Sequence, residues 1–96
     1  LQGLDRTALD RRLREAFGGE PDERRAVARA AGDLSDSEQY LADAGIELTP
    51  DVVVDELDDA PFGSPSDRWN WWMRALETAY GGYARFAVRQ WERLEE

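Results

Sequence analysis

The sequence contains no cysteine, no histidine and no lysine. Lacking the first two, it has no disulfide, no thiolate nucleophile, no zinc site of the usual Cys/His kind and no imidazole for acid–base work. Carboxylates, hydroxyls and arginines remain as polar chemistry. No run of about 18 apolar residues is present to span a membrane. The N-terminus lacks a basic flank followed by an apolar core, so no export signal is predicted and a cytoplasmic protein is expected. Nor is there a phosphate-binding loop, because Gly18-Gly19 and Gly81-Gly82 lack the flanking pattern.

With 96 residues the chain is far below the length of about 250 to 300 at which cores divide. A single helical domain over 1–96 is predicted. A deep active site in so small a chain would compete with the core for the same apolar side chains. The carboxylates of Asp51, Asp55, Glu56, Asp58 and Asp59 fail the calcium-loop spacing, which needs acids at alternate positions, a central glycine and a closing Glu. Asp55 and Asp59 could pair as acid and base, but nothing beside them supplies an oriented nucleophile. The reading is therefore not an enzyme, with no catalytic residue, no metal ligand set and no cofactor.

The charge is unbalanced, with 21 acidic residues against 12 basic, a net charge of −9, and every basic residue an arginine. This acidic, lysine-free composition resembles that of proteins from halophilic archaea. The resemblance covers the whole chain and implies adaptation to strong salt. At about 1 M the Debye length is roughly 3 Å, and repulsion among surface carboxylates is screened. Codon bias in a GC-rich genome is the alternative source of the same Arg, Ala, Gly and Asp enrichment. Residues 35–67 contain ten acids and no basic residue, whereas residues 1–34 hold seven arginines and seven acids. That middle third cannot neutralise itself and must be solvated, bound to cations or set against arginines elsewhere.

Helix punctuation runs through the chain. Asp5 or Thr7 can cap a helix near 5–17, with Leu9, Leu13, Ala16 and Phe17 on one face and Gly18-Gly19 at its end. Pro21 begins a second near 21–32, with Val27, Ala30, Ala31 and Leu34 as its apolar stripe and Gly32 near its end. Ser35-Asp36-Ser37-Glu38 reads as a capping box opening a third near 35–44. Over 46–57 two readings stand: a short helix at 50–58 started by Thr49-Pro50, or a small hairpin suggested by the β-branched Val52-Val53-Val54.

From Ser64-Pro65 onward, Trp69, Met73, Leu76, Tyr80, Tyr83, Ala87, Trp91 and Leu94 recur at steps of three and four. This predicts a long amphipathic helix over 65–95, about 45 Å at 1.5 Å per residue, with Gly81-Gly82 marking a kink or a close crossing. Ala75, Ala79 and Gly82 would let another helix approach closely.

So long a helix needs cover, and its aromatic face, Trp69, Trp72, Tyr80, Tyr83, Phe86 and Trp91, is expected to be core or the seam of a homodimer. Trp71 falls at the edge of that face with Arg74 and Arg85, and these three are the exposed candidates for binding a partner. A protein-interaction or adaptor module results, in an all-α bundle of three to five helices. The other reading is a DNA-binding regulator, since 24–44 resembles a degenerate bacterial helix-turn-helix with Ala28 and Gly32 four apart. It departs from that pattern at Glu38, which stands where an apolar packing residue belongs. Ser35, Asp36 and Ser37 would also meet phosphate with negative charge, so nucleic acid is disfavoured.

Overall fold

The computed structural model describes residues 3–89, which form an all-α bundle with no strand among them. Helix α1 spans Arg6–Phe17. The Asp5 carboxylate accepts the N–H of Ala8 at 3.0 Å to start it, and Gly18 ends it with φ +74°. Leu9 and Leu13, one turn apart, are fully buried.

Helix α2 spans Pro21–Ser37 and is longer than predicted. It does not stop at Gly32, because Val27, Ala31 and Leu34 form one continuous buried stripe and ending the helix there would draw Leu34 out of the core. Gly32 instead makes room for Arg6, whose guanidinium crosses α2 there and reaches Asp33 at 3.6 Å and Asp36 at 3.4 Å. The expected capping box at Ser35 is therefore absent. The Ser35 hydroxyl accepts the N–H of Leu4 at 3.2 Å, and the break falls at Glu38, in the left-handed region at φ +62°. Helix α3 covers only Gln39–Ala44. The turn that a helix-turn-helix would place near Gly32 is thus helical, and the second helix starts four residues late.

Helix α4, Pro50–Asp58, resolves the helix-or-hairpin choice. Thr49 Oγ1 accepts the N–H of Val52 at 3.2 Å, and Val53, Val54 and Leu57 turn inward at helical spacing. Helix α5 spans Pro65–Ala79. Its start is tied twice. Asp67 Oδ2 accepts the N–H of Ser64 at 3.3 Å, and Glu23 of α2, itself buried, accepts both the N–H and the hydroxyl of Ser66 at 2.8 Å. A carboxylate at these free amides also suits the positive end of the helix dipole. Arg68 ties α4 to α5, donating to the carbonyls of Leu57 at 3.0 Å and Gly63 at 2.7 Å while stacking over the Phe17 ring. Helix α2 packs against α1 and α5, and α4 packs against the same two.

The predicted helix over 65–95 ends at Ala79 instead. Gly81 and Gly82 both take φ near +85°, a hand that α-helix cannot use, and the chain turns back on itself. A 3₁₀ turn at Ala84–Phe86 follows, and Ala87 is extended. Reversal puts Tyr83 and Phe86 into the same core as Trp69 and Trp72, where a straight helix would carry them away from it. Ala75 and Ala79 are exposed, so the expected close helix crossing over them is not formed among the described residues. Trp91 and Leu94 lie outside the described residues.

Candidate protein-interaction site

Residues 83–89 form a strap laid back along α5, held first by Trp69 and Asn70 of that helix. Trp69, fully buried, donates its indole N–H to the carbonyl of Phe86 at 2.9 Å. Asn70 takes both backbone groups of Val88: Nδ2 donates to its carbonyl at 2.9 Å, and Oδ1 accepts its N–H at 2.8 Å. The amide side chain thus pairs with Val88 as a neighbouring peptide unit would, reading main chain and not side chain. Two turns further along, Glu77 Oε1 accepts the N–H of Tyr83 at 2.7 Å and of Ala84 at 2.9 Å. These two bonds hold the Glu77 carboxyl below the usual carboxylate range.

Helix α3 supplies the other end of the fastening. Gln39 Nε2 donates to the Gly82 carbonyl at 2.9 Å, and its Oε1 accepts from Arg85 at 2.5 Å. The Tyr83 hydroxyl donates to Asp43 Oδ2 at 2.8 Å, and burial, reinforced by that carboxylate, pushes the phenol well up from its ordinary value. Around these bonds the rings pack edge to face, Trp69 with Trp72 at 5.6 Å and Trp72 with Tyr40 at 5.4 Å.

The clasp is carried by the tetrapeptide Trp69-Asn70-Trp71-Trp72. A WNWW domain model matches residues 1–77. This chain belongs to the WNWW domain family. No curated protein and no solved structure matches the chain. The matched region of the WNWW domain holds the clasp and stops before the strap it closes on.

The site residues expected from sequence divide cleanly. Trp69, Trp72, Tyr83 and Phe86 are buried in the core of the chain. Tyr80 is exposed and stands beside Tyr83, with ring centres 6.1 Å apart. Trp71 is half-buried against the core, while Arg74 and Arg85 are exposed. Arg85 lies over Phe86, 4.6 Å from the ring centre. Trp91 is outside the described residues. Asn70, Gln39, Asp43 and Glu77, the polar residues that fasten the strap, were missed: the first three act on chain 18 to 46 residues away, and Glu77 bonds amides six and seven residues on, beyond its own helix.

Proposed function

We propose that this WNWW domain is a protein-interaction module in which the motif fixes the strap and the strap presents side chains to a partner. The observation that carries the reading is the pairing of Asn70 with both backbone groups of Val88. It engages only main chain and leaves the strap's side chains to be used elsewhere. Two of them fill the core, Tyr83 and Phe86, and two face solvent, Arg85 and Arg89. Arginine held in place on a rigid backbone is favoured at binding hot spots, since less side-chain freedom is lost on contact.

The test compares protein captured from a native high-salt lysate by the unmodified domain, by Asn70→Ala and by Arg85→Ala. A protein held by the first and lost with both variants is the expected result. Capture unaffected by either substitution overturns the proposal. A retained partner that is nuclease-sensitive would favour the regulator reading over 24–44 instead.

A further inference from the structure

Although the chain as a whole is strongly acidic, the face crossed by the strap is not. Arg29 from α2 and Arg85 and Arg89 from the strap line one hollow of about 300 Å³, together with the apolar Ala30, Phe86 and Val88. On the other side of the strap a second hollow, about 310 Å³, is lined by Arg74 and again by Arg89. Four arginines therefore flank one short segment. The two acids in their midst are committed elsewhere: Asp33 pairs with Arg6 at 3.6 Å, and Glu77 accepts the amides of Tyr83 and Ala84. Arg29, Arg74 and Arg85 form no ion pair with another described residue.

We infer that this face docks an acidic polypeptide segment, one carrying carboxylates beside apolar side chains. The inference rests on the interaction reading above and names the chemistry of the partner. Guanidinium groups match carboxylates two bonds at a time, and the apolar lining suits the side chains between them. A nucleic acid fits less well. Its affinity comes from many phosphate contacts along a surface, whereas these cations surround hollows the size of a few side chains.

The probe is a fluorescein-labelled peptide of repeated Glu-Phe-Glu units, followed by anisotropy at low salt against the same peptide with Gln for Glu. The full chain should bind the Glu peptide saturably and the Gln peptide at least about tenfold more weakly, a difference of about 1.4 kcal/mol. Arg29→Glu and Arg85→Glu should each weaken the Glu peptide by about tenfold, while Arg14→Glu, exposed on α1, should leave it unchanged. Equal loss with Arg14→Glu, equal binding of the Gln peptide, tighter binding of a random DNA duplex, or no saturable binding each overturns the inference.

Val88→Pro separates this result from the parent reading. It removes the N–H that Asn70 accepts but leaves α5 intact, and Ala87 at φ −66°, ψ 148° already has the conformation a following proline requires. Peptide binding that survives release of the strap by Val88→Pro sinks the strap-presentation reading. Failure to bind the peptide with the strap in place sinks only the acidic partner.

Discussion

Asn70 holds Val88 by both of its backbone groups, at 2.8 and 2.9 Å, across a separation of 18 residues. A backbone amide pair made by a side chain is indifferent to what residue 88 carries, so the strength of the strap resides in Asn70 and not in valine.

Replacing Asn70 by Ala should release the strap before it unfolds the bundle. Two hydrogen bonds are lost, each contributing about 0.5–1.5 kcal/mol net. Amide exchange at residues 86–88 should quicken by one to two orders of magnitude, about 1–3 kcal/mol, with far-UV circular dichroism unchanged. Asn70→Asp should do as much or more, since it keeps an acceptor for the Val88 N–H but sets a carboxylate against its carbonyl. Equal protection in wild type and both variants would remove the clasp.

The tryptophans of the motif should rank by what they touch. Trp69→Phe leaves the buried carbonyl of Phe86 without its donor and opens a small void, which should cost about 2–4 kcal/mol in urea-melt stability. Trp71→Phe, at a half-buried position, should cost less than about 1 kcal/mol. Reversal of that order would contradict the packing described here.

Acid should loosen the strap through Glu77. Its carboxyl titrates below the ordinary glutamate value of about 4.3 because the amides of Ala84 and Tyr83 favour the charged form. A depressed folded-state value means that this contribution is present in full above the unfolded value and fades as pH falls toward the folded one. The amide resonances of Tyr83 and Ala84 should therefore titrate together below the ordinary range. Glu77→Gln should abolish that shared titration.

Salt should stabilise the fold. Of the ten acids in residues 35–67, Asp36 and Asp51 meet arginines from α1, and the chain retains a net charge of −9. Burial raises the Glu56 carboxyl, and neighbouring Asp59 and Asp55 add to the effect, as expected of a segment that repels itself. The melting temperature should climb between low and molar NaCl as that repulsion is screened. A flat response would leave codon bias as the account of the composition.

Much of the architecture is legible in the sequence, and its starting points most of all. Asp5, Thr49-Pro50 and Ser64-Pro65 mark helix starts through bonds made within three residues, and all three are where local chemistry places them. Helix ends were harder to see. The spacing of Tyr80, Tyr83 and Ala87 keeps helical time across Gly81-Gly82, but periodicity carries no information about the sign of φ, and it is the two left-handed glycines that fold the pattern back. Ser35 to Glu38 has the letters of a capping box, yet the burial of Leu34 just before it keeps α2 helical to Ser37. Asn70 is the instructive omission. Flanked by tryptophans, its amide has no neighbour to bond, and its partner becomes visible only when the chain has reversed direction.

The reversal at Gly81-Gly82 also sets an order of events during synthesis. Until Phe86 and Val88 emerge from the ribosome, the indole of Trp69 and the amide of Asn70 have no peptide groups to meet, and Tyr83 has not sealed the core. The helices therefore cannot close over their aromatic interior until residues 83–88 have been made, and that interior stays open to chaperones until then.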